Sequence, residues 1–185
     1  MNKVILLIIA IVVVLVSCKT KNIVDVTDQV KIDKIKCEDK SICFLIEEIK
    51  ILETAKKNSN LDIGLSLKLR IINKSNSEQI IKLFDSGDIL RGNIVGLHAK
   101  CDSVISFVNN FEEPTIKLIP NQEYIYMCTS VLFYYECLFE NNIDYQEAMI
   151  DFVSNMKFKY MQSARSLTDA IDVGFSNELT VVCID

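Results

Sequence analysis

Leu61-Asp62-Ile63-Gly64-Leu65-Ser66-Leu67-Lys68-Leu69-Arg70-Ile71-Ile72 is the stretch that decides the fold. Six apolar side chains, at 61, 63, 65, 67, 69 and 71, alternate with Asp62, Gly64, Ser66, Lys68 and Arg70. Successive side chains of an extended backbone point to opposite faces, so this period of two predicts a strand with one buried and one solvated face. Asn73-Lys74-Ser75-Asn76-Ser77 has the composition of a turn, and Gln79 to Phe84 is again apolar. Together they predict a hairpin with a loop of about five residues.

The same pattern recurs on both sides. Leu97, Ala99, Cys101, Ser103, Ile105 and Phe107 share one parity and predict a strand. Thr115 to Ile119, the Pro120-Asn121 turn and Glu123 to Tyr135 predict a further pair. Upstream, Val30 to Lys36 and Ile42 to Leu52 read as strands. Ile42, Leu45, Ile46, Ile49 and Leu52 would also form a helical stripe, and the isoleucine content favours the strand. One helix is well signposted: Asp144 can cap it, Glu147 completes a capping box, and Ile143 with Ala148 fits a hydrophobic staple. It is expected to end near Asn155, before Met156, Phe158 and Tyr160 alternate with two lysines as another strand. Leu179 to Ile184 is apolar on both parities, as a central strand is. About nine strands and one short helix at this spacing predict a mainly β chain, a single antiparallel β-sandwich.

The first eighteen residues have a different character. Met1-Asn2-Lys3 is a short positive start, and Val4 to Val16 is an unbroken run of thirteen apolar residues. That is the pattern of a secretory signal. A permanent membrane span needs about twenty such residues, and the flank Lys19-Thr20-Lys21-Asn22 is polar. The run ends in Leu15-Val16-Ser17-Cys18, which resembles the lipobox of bacterial lipoproteins of the Bacteroidetes type. The resemblance implies cleavage before Cys18, palmitate-type acylation of Cys18 and a place in the cell envelope, on the outer membrane. More than one acyl chain is needed for stable anchoring, because a single chain binds only marginally. The expected organisation is a signal peptide over 1–17, a polar tether over 18–28 and a β-sandwich domain over 29–185.

A second resemblance lies in the mature part. Leu67-Lys68-Leu69-Arg70-Ile71-Ile72-Asn73-Lys74-Ser75, then Ile80 to Leu83, then Ile116-Lys117-Leu118-Ile119-Pro120-Asn121-Gln122-Glu123-Tyr124 resembles bacterial immunoglobulin-like sandwiches. Tyr126-Met127-Cys128 is similar to the Tyr-x-Cys of an immunoglobulin strand F. The chain departs from that pattern in having no tryptophan, and Cys43 and Cys101 stand poorly as the usual partner cysteine. What the resemblance implies is architecture, since fold does not carry function.

Without residues 1–17 the chain has 168 residues, room for one ordinary core, with 19 basic against 25 acidic side chains and so a formal charge of −6. Such a surface excludes nucleic acid as a natural partner, and no polybasic run presses the domain onto anionic lipid. The membrane partner is then the lipid on Cys18, and the remaining partner is another envelope protein or glycan. Six cysteines follow Cys18: Cys37, Cys43, Cys101, Cys128, Cys137 and Cys183. In an exported chain they allow up to three disulfides in fifteen connectivities, with Cys37 and Cys43 the best local pair, or they are buried small hydrophobes.

Chemistry is sparse. No CxxC occurs and His98 is the only imidazole, so neither a zinc knuckle nor a Ser-His or Cys-His pair has its usual material. His98 is opposite in parity to Leu97 and Ala99, which predicts a solvent-facing or partly covered side chain. Glu47-Glu48 and Glu112-Glu113 are adjacent, so on a strand they face apart. No cofactor, metal or catalytic residue is expected. Tyr124 and Tyr126 share parity with Cys128 and are expected in the core, with hydroxyls at its rim. Tyr134 and Tyr135 are the candidates for partner contact, one of them exposed. Two functional classes remain: a lipid-tethered binding or assembly module, which needs no polar triad and is the leading reading, and an envelope hydrolase with an unrecognised active site.

Overall fold

The computed structural model describes residues 22–32, 40–57, 60–86, 90–98, 103–109, 113–130, 133–134, 145–162 and 170–184. The fold is mainly β with one helix. Its strands are β1 (Ile23–Asp25), β2 (Ile42–Lys57), β3 (Asn60–Asn73), β4 (Gln79–Lys82), β5 (Phe84–Ser86), β6 (Leu90–Gly92) and β7 (Ile94–His98). Then come β8 (Ser103–Val108), β9 (Thr115–Leu118), β10 (Glu123–Ser130), β11 (Phe133–Tyr134), the helix α1 (Tyr145–Ser154), β12 (Met156–Tyr160), β13 (Ile171–Asp172) and β14 (Gly174–Ile184). One large sheet has the order β1-β14-β2-β3-β10-β8-β7-β12-β13, with β11 also on β3, and β4-β9 and β5-β6 form two-stranded ribbons.

The alternation of β3 is realised directly: Leu65, Leu67, Leu69 and Ile71 are fully buried. In β2 Phe44, Ile46, Ile49 and Ile51 are buried, as is Cys43 near its start, and the three-residue step between 46 and 49 is a β-bulge. Ile46 faces Leu69 and Glu48 faces Lys68, so Glu47 is the extra residue. A bulge lets the strand change parity and keep its apolar face inward. That step is also why the segment reads partly as a helical stripe.

The sheet curls until distant strands meet. Phe44 of β2 stacks on Tyr160 of β12, ring centroids 4.3 Å apart, although four strands lie between them in the ladder. Phe158 of β12 meets Phe107 of β8 at 5.8 Å and Phe175 of β14 at 6.0 Å. The fold of the ladder lies where β10 passes to β8, a junction of two residue pairs, Thr129 with Val108 and Ser130 with Phe107. Helix α1 closes one side with Ala148, Met149, Phe152 and Val153 buried, an i, i+1, i+4, i+5 stripe.

Several sequence expectations are corrected. β3 does not form a hairpin with β4: β3 pairs with β2 and β10, while β4 pairs with β9. The expected β9-β10 pair is exchanged in the same way. The 97–107 strand is two antiparallel strands, β7 and β8, with His98 opposite Ser103. The chain reversal resets parity, so Ile94 and His98 point inward with Ile105 and Phe107. His98 is therefore 2% exposed and stacks on Phe152 at 4.5 Å. Val30–Ile32 is irregular rather than a strand, and 33–36 lies outside the described residues. β14 is central as expected, but it runs parallel to β2, the one parallel pairing among the described strands.

Of the stretch 18–28 expected as a polar tether, 18–21 lies outside the described residues and the rest is docked on the sheet. Ile23–Asp25 pairs with Val182–Ile184, Val26 is buried and its N–H donates to Val181 O at 2.9 Å. Thr27 Oγ1 accepts the Val181 N–H at 2.8 Å and donates to Asp25 Oδ1 at 2.6 Å. That hydroxyl and the Thr27 N–H hold the Asp25 carboxyl below its ordinary range. The stretch is polar at its ends yet docked onto the sheet through Val26.

Candidate functional site

At Val173 the chain crosses from the β12 side of the curled sheet to the β2 side, and Val173 N–H donates to Phe158 O at 3.0 Å. β13 is only two residues long and pairs with Lys159 and Tyr160, so among the described strands none pairs with the start of β12 on that side. A groove of about 680 Å³ lies there. Its apolar wall is Ile32, Met156, Phe158, Val173 and Phe175. Lys31, Lys157 and Lys159 also line it, with Asp172 the one carboxylate among its described lining residues. Lys31 is held by its own N–H on Ser154 Oγ at 3.1 Å, at the end of α1.

Lys159 Nζ pairs with Asp172 at 3.0 Å, and Lys40 Nζ donates to Asp172 O at 3.1 Å. Neither Lys31 nor Lys157 has a carboxylate partner among the described residues. Among its described lining residues the groove therefore has three ammonium groups to one carboxylate, in a chain whose formal charge is −5. Met156, Phe158, Val173 and Phe175 are buried at its floor, and its volume lies within the ~300–1,000 Å³ range of small-ligand sites.

A second polar cluster occupies the outer face of β2, β3 and β10. At the bulge, Glu47 takes Arg70 through its guanidinium and Lys68 Nζ at 3.1 Å. Glu123 stands 3.6 Å from Arg70. Burial pushes the Glu47 carboxyl up, but hydrogen bonds and charge from Lys68 and Arg70 outweigh it and hold it below the ordinary range. Its cations are matched by Glu47 and Glu123, which suits a structural clamp rather than a ligand site. On this same face Ile125 and Met127 are exposed beside the network.

Of the expected site residues, Cys18, Cys37 and Tyr135 lie outside the described residues, as does the side chain of Tyr134, whose backbone pairs with Asp62. Cys43 is fully buried and disulfide-bonded. Cys128 and Cys183 are buried as thiols, and burial pushes the Cys128 thiol far up from its ordinary range. Tyr126 is buried with its hydroxyl accepting the Asn109 N–H at 3.2 Å, the rim contact expected of it, and Tyr124 packs at the edge of the core. The capping residues Ile143 and Asp144 lie outside the described residues.

No family model, curated protein or solved structure matched this chain. Among the described residues no three His, Cys, Asp or Glu side chains group as metal ligands would, and no helix is long and apolar enough to cross a membrane. The groove lysines are the feature that sequence reading passed over. Their signal was present in Met156-Lys157-Phe158-Lys159-Tyr160, which puts two ammonium groups on one face of a strand. That β12 lies beside this groove depends on where β13 and β14 go.

Proposed function

We propose that this chain is a lipoprotein of a bacterial cell envelope, held on the outer membrane by lipid on Cys18, and that its domain is a binding or assembly module. The observation that carries this reading is the start of β1 at Ile23, five residues after Cys18. Five residues span at most about 18 Å, so an acylated Cys18 would keep the folded domain against the bilayer surface. The thirteen-residue apolar run and the Leu15-Val16-Ser17-Cys18 match support the same reading.

We read the curled sheet as an immunoglobulin-like sandwich. Its support is the crossed pairing of β3 with β10 and β4 with β9, in which both connections turn from the large sheet into the ribbon. The parallel approach of the last strand to β2 is a second support. The binding function is supported by the groove at the start of β12, where Lys31, Lys157 and Lys159 stand at the opening into the core. Replacing Cys18→Ser tests the anchor: metabolic palmitate labelling should disappear and the protein should leave the membrane fraction. A mutant that stays wholly membrane-bound without label would mean that a span holds the chain.

A further inference from the structure

The hairpin of β2 and β3 outruns the rest of its sheet. Ile23 at the start of β1 faces Ile184 of β14, Ile184 faces Leu52 of β2, and Leu52 faces Gly64 of β3, so these residues make one row across the sheet. β1 begins and β14 ends at that row. β2 and β3 continue past it, through Glu53 opposite Ile63 and Thr54 opposite Asp62, to Lys57 opposite Asn60. From Leu52 to Lys57 the overhang is about 17 Å at strand rise. β11 pairs with Asp62 and Ile63, which puts the backbone of Phe133 and Tyr134 beside the same overhang. The opposite end of the sheet, where Ile42 faces Asn73, lies about 33 Å from the row.

The N-terminal stretch leaves the row in the direction of that overhang. β14 runs parallel to β2 and β1 antiparallel to β14, so the chain preceding Ile23 departs on the side where the hairpin projects. From Cys18 to Ile23 it spans at most about 18 Å. An acylated Cys18 sits in the headgroup layer, so it holds the row scarcely farther from the bilayer than the hairpin is long, and any slack brings the hairpin tip into the headgroups. Lys56 and Lys57 end the first strand of the hairpin, while its carboxylates, Glu53 and Asp62, stand nearer the domain. Lys19 and Lys21 belong to the stretch that reaches the anchor. An ammonium group takes phosphate oxygens through charge-assisted hydrogen bonds, and tyrosine is enriched where a membrane meets water. These lysines form no run in the sequence; the pairing of β1, β14 and β2 is what directs them toward one surface.

We propose that the tip of the β2–β3 hairpin rests on the bilayer, with Lys56 and Lys57 against headgroup phosphates, and that this second contact sets the height and tilt of the domain. It rests on reading Cys18 as the lipid anchor and adds the protein surface that meets the membrane. The chain has no tryptophan, so a single introduced indole reports without background. Asn60→Trp marks the hairpin tip, and Asn76→Trp, at an exposed turn residue of the far end, is the reference. Each acylated full chain is placed in nanodiscs containing phosphatidylglycerol, with and without a lipid that carries a nitroxide on its headgroup. The nitroxide should remove most of the emission from position 60 and leave position 76 unchanged. Ser59→Trp should behave as Asn60→Trp does, which guards against one badly folded variant. Adding Lys56→Gln and Lys57→Gln should weaken the contact about fivefold per lysine, read as a loss of quenching at position 60. Undiminished quenching in that variant would overturn the part given to the lysines. Quenching at 76 in place of 60, or at neither, would overturn the contact itself. Palmitate labelling of the same preparation reports the anchor separately: a labelled chain with an unquenched tip refutes the hairpin contact alone, whereas an unlabelled chain removes the anchor and the contact with it.

Discussion

Glu47 is where register and electrostatics meet. As the bulge residue of β2 it shifts the inward parity from Phe44 and Ile46 to Ile49 and Ile51, and its carboxylate holds Lys68 and Arg70 of the neighbouring strand. Because folding holds its pKa below the ordinary 4.5, the stability it contributes is present above that pH and is lost as pH falls through the folded value. Glu47→Gln should therefore melt a few degrees below the wild type at pH 7, a loss of about 1 kcal/mol. Melting curves between pH 7 and pH 2 should show that gap closing in the acid range. A gap constant with pH would mean that the carboxylate contributes shape alone. Gly92 is a steric counterpart: a Cβ there would fall 1.5 Å from the Phe107 carbonyl oxygen, which is backbone and cannot rotate away. Gly92→Ala should cost about 3 kcal/mol, read by urea unfolding. An unchanged midpoint would show that β6 and β8 separate freely.

At the scale of elements, the exchange of hairpin partners is the main lesson. β3 and β4 are joined by a short turn, as are β9 and β10, yet each strand pairs across to the other connection. Asn73 knits the two turns together. Its Nδ2 donates to Ser77 O and Leu118 O, both at 2.8 Å, its Oδ1 accepts from Ser75 N and Oγ, and its carbonyl accepts the Asn121 N–H at 2.8 Å. Asn121 itself has φ of 62°, the left-handed conformation that asparagine tolerates after a proline in a turn. The Asn73-x-Ser75 and Pro120-Asn121 signals, read separately as two loops, are thus one corner. Asn73→Ala leaves the Leu118 carbonyl and the Ser75 amide without this partner, and should lower stability by about 2–3 kcal/mol in denaturant unfolding. A loss near zero would mean that water replaces the side chain without penalty. β7 and β8 show how a local pattern misleads: one parity over 97–107 conceals a reversal, and His98 moves from an expected outer face to the core.

For the molecule as a whole, closure depends on contacts between strands far apart in sequence and in the ladder, such as Phe44 on Tyr160. The Cys43 disulfide adds a covalent restraint to this β2 framework. Its partner is expected to be Cys37, and closing so short a loop stabilises by about 2–3 kcal/mol. Cys37→Ser and Cys43→Ser should then lower the melting temperature equally and without additivity, and intact mass after alkylation should show the same pair of thiols released on reduction. If Cys37→Ser leaves Cys43 oxidised, another cysteine is its partner. The sequence by itself determined the β character, the buried face of β3, the placement of α1 and of β12 after it, and the core position of Tyr126. Alternation and helical periodicity are local: backbone geometry and contact with water impose them within a few residues. Only the tertiary structure decided which strands pair, that β14 lies parallel to β2, that His98 is buried, that Val26 docks the N-terminal stretch, and that Lys31, Lys157 and Lys159 share one groove. Backbone hydrogen bonds are the same for any partner strand, so the choice among partners is made by packing between residues distant in sequence, which no local pattern records.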